Sequence, residues 1–234
     1  LQADLDAAAP VLDTELLFWF APPPAEEEQD KRLRRWLASQ PTPRRIVYIS
    51  TSGVYGDCGG RWIDEDEPLR PVSARAGRRL DAERVLGEHA ARHGTEVVIL
   101  RVPGIYGPGR LPRERLAQGL PVVRDAESPY TNRIHADDLA EAALHAAAWG
   151  RPGAAYNVAD GNPTTMCDYF TRCALLLGLP PPPQVSMEEA RRVFTPGMWS
   201  FMEESKRLKT DRLRGELRYA PRYADLAAGL PSCL

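Results

Sequence analysis

The sequence predicts an α/β fold in which a parallel sheet is covered by helices on both faces. Three observations point there. Short β-branched runs without turn residues, at 46–49 and 97–102, read as strands, the first buried on both faces since it is continuously apolar rather than alternating. Helical patterns at 26–40, 80–92 and 136–149 stand around and between them. Strand, helix and strand then follow one another in order, as crossovers packed onto a parallel sheet require.

Taken in order, residues 4–11 read as a helix end running straight into a strand; with leucine rather than methionine at position 1, the expectation is that an opening portion of the fold is missing. Residues 15–21, Glu-Leu-Leu-Phe-Trp-Phe-Ala, form the first strand, closed by Pro22, Pro23 and Pro24, which cannot continue a ladder. Glu26, Glu27, Glu28 and Asp30 then precede Lys31, Arg32, Arg34 and Arg35, an order that suits the dipole of a helix over 26–40. Leu33, Trp36 and Leu37 supply its apolar stripe, and Pro41 and Pro43 end it. The strand at 44–49 finishes in Ser50, Thr51 and Ser52, at the sheet edge where open α/β folds hold ligands. Gly53 and Gly56 let the chain turn sharply beside it. The acidic run Asp64, Glu65, Asp66, Glu67 reads as a solvated loop. The 80–92 helix buries Leu80, Ala82, Val85, Leu86 and Ala90, with Gly94 as its C-terminal cap. After the 97–102 strand come Pro103, Gly104, Gly107, Pro108 and Gly109. An alanine-rich helix over 136–149 opens with Asp137 and Asp138, a short strand covers 155–158, and a helix covers 168–177. Prolines 180–183 make a stiff connector, and 187–193 and 205–216 are the helices of a tail with little sheet character. The expected division is a sheet domain over 1–160 and a smaller, mainly helical lobe over 161–234.

Composition narrows the function classes. The chain has 234 residues, enough for a full core, and its net charge of −2 argues against a nucleic-acid partner. Its longest apolar run is a strand's length, well short of the roughly 20 residues of a membrane span, so no membrane partner is expected. Cys58, Cys167, Cys173 and Cys233 form no Cys-x-x-Cys pair and have no histidine at ligand spacing. No metal is expected; reduced thiols in a cytoplasmic protein are.

Four stretches carry a family resemblance: Ser-Thr-Ser-Gly-Val-Tyr-Gly at 50–56, Leu-Arg-Val-Pro-Gly-Ile-Tyr-Gly-Pro-Gly at 100–109, Asn-Arg-Ile-His-Ala-Asp-Asp-Leu-Ala at 132–140, and Tyr-Asn-Val-Ala-Asp at 156–160. In this order and at these gaps they resemble successive signatures of the extended short-chain dehydrogenase/reductases, which include the NAD-dependent epimerase/dehydratases. The tail from 186 to 230 resembles that of an atypical subgroup. The resemblance implies a Rossmann-type domain that binds NAD or NADP, with a small C-terminal α+β substrate lobe. It also implies a homodimer paired through the helices at 26–40 and 80–92. The family opens with a glycine-rich turn between a strand and a helix, whose amides hold the pyrophosphate; no such run occurs here, so the fold reads as lacking its N-terminal strands.

The resemblance also assigns a site. Ser52, with Thr51 as fallback, matches the hydroxyl of the family's catalytic Ser/Thr, Tyr and Lys set. The family's Pro-x-Ser-x-Tyr-Gly-x-x-Lys-x-x-x-Glu helix aligns on Pro71, Ser73 and Glu83, which puts Arg75 at the tyrosine and Arg79 at the lysine. A guanidinium stays protonated, so Arg75 cannot donate a proton as a phenol does, while Arg79 keeps the charge that meets the cofactor ribose. Tyr55 and Tyr106 are the nearby phenols, and packing is the role assigned to both. Ala21, Pro22, Ser50, Thr51, Arg79, Val102, Pro103, Gly104 and Ile105 are the cofactor contacts by analogy. Ser52, Gly53, Asn132, Arg133 and His135 face a small-molecule substrate, with Arg133 able to grip a phosphate or carboxylate through two bonds. His135 and Asp137 also admit a structural reading, Asp137 as a helix cap.

Three functions follow from these residues. One is an NAD(P)-dependent oxidoreductase or epimerase/dehydratase acting on a nucleotide sugar or other small carbonyl or hydroxyl compound. Another is a noncatalytic dinucleotide-binding or redox-sensing module, favoured by the loss of the tyrosine. The third is an inactive fragment.

Overall fold

The computed structural model of the chain describes residues 13–25, 27 and 29–234. The readings at 4–11 and at Glu26 and Glu28 lie outside the described residues. The first strand, β1 (Leu16–Trp19), is followed by α1 (Lys31–Ser39), which starts where the Asp30 carboxylate accepts from the backbone N–H of Leu33 at 2.9 Å. That cap sets the helix start five residues later than the charge pattern suggests. Next come β2 (Arg45–Thr51), a 3₁₀ turn (Ser52–Tyr55), β3 (Trp62–Ile63) and α2 (Ala74–His93). α2 is one and a half turns longer at its start than the apolar stripe shows, because Ser73 caps it by accepting from Ala76 N.

After α2 come β4 (Glu96–Val102), β5 (Gly104–Tyr106), α3 (Arg113–Ala117), β6 (Val122–Val123), β7 (Tyr130–Thr131), β8 (Arg133–His135) and α4 (Ala136–Trp149). The chain continues through β9 (Ala155–Asn157), β10 (Thr164–Thr165), α5 (Met166–Leu176), β11 (Gln184–Val185), α6 (Met187–Val193) and α7 (Pro196–Met202). It ends with β12 (Arg207–Leu208), α8 (Asp211–Gly215) and α9 (Leu226–Gly229).

The central sheet is parallel, with strand order β1-β2-β4-β9. Its two faces can be read off β2. Ile46 and Tyr48 join Leu33 and Trp36 of α1 and Ala82 and Leu86 of α2 in one buried cluster, while Val47 joins Ala142, Ala143 and Ala146 of α4 in another. Alternate side chains thus go to opposite layers, and both layers are apolar, which is why these strands carry no polar alternation. α4 can approach because its alanines are small. Gly150 closes that contact: a Cβ there would stand 2.5 Å from Ala146 O and 2.7 Å from Val98 Cγ1.

A third cluster gathers Tyr106, Leu116, Val122 and Val123 with Met166, Phe170, Cys173, Ala190 and Leu226, so residues well before position 160 pack with the C-terminal helices. The traffic also runs the other way, since β12 pairs with β3. The expected helix over 205–216 is therefore corrected to a strand followed by the short α8. Leu208 N donates to Asn132 Oδ1 at 2.8 Å and Asn132 Nδ2 to Lys206 O at 3.0 Å, so long-range pairing overrides the local helical pattern. The acidic 64–67 loop is corrected too. Glu65 is buried and accepts from Asn157 N at 2.8 Å.

Candidate functional site

The site forms where β2 and β4 end. Thr51 turns its hydroxyl back to accept from Gly53 N at 3.1 Å, which caps the 3₁₀ turn and leaves Ser52 facing a cleft. The Ser52 hydroxyl makes no hydrogen bond among the described residues. Ser50 is buried and donates to the Glu83 carboxylate. Glu83 in turn holds Arg101 at 2.9 Å, and Arg101 Nη1 donates to Tyr55 OH at 3.1 Å and to Glu65 O at 3.2 Å. Tyr55 donates to Asn157 Oδ1 at 2.8 Å. This buried chain fixes the ends of β2, β4 and β9 relative to α2.

Two contiguous cavities open on the edge so formed. The first, of about 220 Å³, is walled by Ile49, Val102 and Ile105, by Pro22 and Pro23 after β1, and by Ser50, Thr51, Pro103 and the α2 arginines Arg75, Arg78 and Arg79. The second, of about 330 Å³, shares Thr51, Arg75 and Pro103 with it and adds Ser52, Gly53, Gly104, Tyr130, Thr131, Asn132, Arg133 and Met166, together with Phe201, Glu204 and Lys206 from the tail. Nearly all of the residues expected at the cofactor line the first cavity, and those expected at the substrate line the second. Three stand differently. Gly104 lies on the second cavity, and Ala21 packs toward the Trp19 cluster rather than lining either. His135 is fully buried and lines neither. Its Nδ1 accepts from Asp137 N at 3.2 Å, so His135, and not Asp137, caps α4. Accepting at Nδ1 leaves the proton on Nε2, which faces Ser232 Oγ at 3.1 Å.

Arg79 is committed. Its Nη1 donates to Ile49 O at 2.6 Å and to Tyr48 OH at 3.3 Å, tying α2 to β2. Burial pushes the Tyr48 phenol up to about 12 and raises those of Tyr55 and Tyr106 well above the usual range. None of the three lines either of these two cavities. Tyr130 does, as a half-exposed phenol that motif reading passes over because it sits two residues before Asn132. Lys206, bonded to Glu204 at 2.6 Å, falls in the 205–216 stretch that the sequence reads as helix; the buried Glu204 Oε1 has no partner.

An apolar wall opposite guanidiniums suits a flat ring carried on a phosphate, so the first cavity fits the nicotinamide end of a dinucleotide. Among the described residues no helix opens on a glycine-rich turn at this edge, so a pyrophosphate cradle is not part of the described site. Among the same residues there is no group of three or more metal-ligating side chains, and no helix is long and apolar enough to cross a membrane.

The model of the NAD dependent epimerase/dehydratase family matches residues 30–159. The chain belongs to that family. Its matched span runs from the cap of α1 past β9 and contains Thr51, Ser52, Arg75, Arg79 and Arg133, whereas Phe201, Glu204 and Lys206 lie beyond it. The chain is 27% identical over 122 residues to the dTDP-D-glucose 4,6-dehydratase of Mus musculus, covering 49% of this chain and 34% of that protein. It thus spans about a third of the length of such curated relatives. A functionally unknown conserved protein from Silicibacter pomeroyi is 32% identical and superposes with a TM-score of 0.78 over 92% of this chain and 75% of its own. The dTDP-glucose 4,6-dehydratase of Bacillus anthracis in complex with NAD is 19% identical, with a TM-score of 0.72 over 93% and 70% of the two chains, and shares the fold. The sheet is accordingly of Rossmann type.

Proposed function

We propose that the smaller cavity holds the nicotinamide end of NAD or NADP and the larger one a nucleotide sugar or other small hydroxyl or carbonyl compound, making the protein an NAD(P)-dependent oxidoreductase or epimerase/dehydratase. The observation that carries this reading is the meeting of an apolar, arginine-lined cavity with a second one at Thr51, Arg75 and Pro103, with the uncommitted Ser52 hydroxyl beside the junction. Family membership and the NAD bound to the structurally similar Bacillus anthracis dehydratase support it.

When bound, the dinucleotide gives or takes the hydride. Ser52 donates a hydrogen bond to the reacting oxygen, and Ile49, Val102 and Ile105 keep water from one face of the ring. Arg75 fixes charge at the junction and moves no proton, because a guanidinium has none to give at ordinary pH. That substitution favours a second reading, a dinucleotide-binding module without turnover.

Calorimetric titration with NADH and NADPH tests the reading: saturable binding of either is expected, and binding of neither overturns it. Nicotinamide absorbance with UDP-glucose or dTDP-glucose as substrate then separates the two versions, with Arg75→Tyr expected to raise turnover if catalysis is limited by the missing phenol. The same reading extends to a homodimer through α1 and α2, whose shared groove is lined by Leu37, Ala38, Val85 and His89. Light scattering at the mass of two chains supports that pairing, and a monomer rejects it.

A further inference from the structure

A cation withdrawn from water needs a counter-charge, and Arg133 forms no ion pair among the described residues. Its Nη1 donates to the Asn132 carbonyl at a long 3.4 Å, its Nη2 meets Met166 Sδ at 3.3 Å, and its buried Nε has no partner. The guanidinium carbon lies over Tyr169, 4.1 Å from the ring centre. Burial lowers its pKa, and the nearby charge of Asp160 offsets only part of that. The position is nevertheless built. A Cβ on Gly104 would stand 1.9 Å from Arg133 Nη1, so the glycine makes the seat in which the guanidinium rests against the cavity wall.

Across the same cavity Arg75 lies on the Phe201 ring at 4.3 Å, more exposed, and in no hydrogen bond or ion pair among the described residues. Two carboxylates stand within electrostatic reach of the arginines, Glu204 of Arg75 and Asp160 of Arg133, and neither bonds to them. Glu204, whose charge reaches Arg75, is bonded to Lys206 at 2.6 Å. Asp160, whose charge reaches Arg133, accepts from Asn162 N at 2.9 Å and forms no ion pair. Two guanidiniums therefore border one cleft with Ser52, and neither forms an ion pair among the described residues. A planar fork of donors matches the oxygens of a phosphate or carboxylate.

We infer that the molecule taken up by this cavity is a small dianion, a phosphate monoester or a dicarboxylate, gripped by Arg133 from its seat on Gly104 and by Arg75 at the position of the family's tyrosine. The inference rests on the reading of this cavity as the substrate half of the site. In it, Arg75 has exchanged proton transfer for charge recognition.

Calorimetric titration with inorganic phosphate, malonate and, as the uncharged control, glucose tests the inference. Phosphate or malonate should bind saturably and glucose should not, with affinity falling as salt rises. The tighter of the two anions assigns the group as phosphate or dicarboxylate. Arg133→Gln and Arg75→Gln should each weaken the anion about tenfold or more, and Arg133→Lys should restore part of the loss. No saturable binding of either anion, or equal binding by the Gln variants, overturns the inference. Should Arg133→Gln fail to fold, modification of the unaltered chain by phenylglyoxal decides: peptide mapping should show Arg133 protected by the bound anion, and absence of protection overturns the inference. NADH is titrated alongside. Anion binding without NADH binding would refute the dinucleotide reading and leave the anion site standing, whereas NADH binding without anion binding would do the reverse.

Discussion

Glu83 and Arg101 are both almost wholly buried, and each depends on the other. Glu83 takes the Ser50 hydroxyl on one side and Arg101 on the other, while Arg101 also carries Tyr55 and the Glu65 carbonyl. Breaking a buried pair from one side strands a charge, so Glu83→Ala is expected to destabilise the chain by about 3–5 kcal/mol, read from urea unfolding. A loss below about 1 kcal/mol would mean that water reaches Arg101 freely. Asp160 behaves in the opposite sense. Burial raises its carboxyl from 3.8 to about 7, although Asn162 N and the charge of Arg133 pull it down. The folded state then holds a proton that the unfolded chain has released. Its contribution is fully present below about pH 4 and is lost as pH rises toward about 7. Asp160→Asn keeps the acceptor for Asn162 N and removes the titration, so the fall in melting temperature across that interval should flatten in the variant; an unchanged slope would clear Asp160 of responsibility.

Among the elements, the 3₁₀ turn after β2 decides where Ser52 points, and Gly56 ends it. Gly56 has φ +70°, and a Cβ there would lie 2.0 Å from Arg70 O, a backbone atom that cannot swing aside. Gly56→Ala should cost more than about 1 kcal/mol by denaturant midpoint, because both the left-handed conformation and the contact resist it. This turn was readable in the sequence, as were β2, β4 and α4, since doubly buried strands and an alanine-rich helix announce themselves through local composition. The tail was not. Arg207 and Leu208 look helical by neighbourhood and become a strand only because Trp62, Ile63 and Asn132 meet them from more than seventy residues away. The site divides along the same line. Thr51, Ser52, Arg75 and Arg133 sit in motifs, whereas Phe201, Glu204 and Lys206 reach the cavity through that long-range pairing. α7 had a local signal, the Thr195 cap with Pro196 in its first turn, that marks a helix start. His135 shows the converse, a motif residue whose ring is used up by capping α4 and meeting Ser232.

At the scale of the molecule, its thiols report whether the apolar clusters open together. Cys167, Cys173 and Cys233 belong to the cluster under the C-terminal helices, and Cys58 to a separate one with Val54, Tyr55, Ile63 and Leu208. All four are free and buried, and burial raises their pKa values, that of Cys173 to about 11. Little thiolate exists at neutral pH, and all four residues are at most 8% exposed, Cys233 bordering a cavity with Gly109 and Leu111. Met202 of the C-terminal cluster and Leu208 of the other are six residues apart in the chain, and the Asn132 bonds to Lys206 and Leu208 hold that short link in place, so opening either cluster strains the other. Native protein mixed with an aromatic disulfide reagent should therefore show no fast phase, and all four thiols should react in one phase whose rate follows global unfolding as denaturant is raised. If Cys167, Cys173 and Cys233 react ahead of Cys58, the C-terminal cluster opens by itself. The wall of the larger cavity that carries Phe201, Glu204 and Lys206 would then move independently of the sheet edge that carries Ser52.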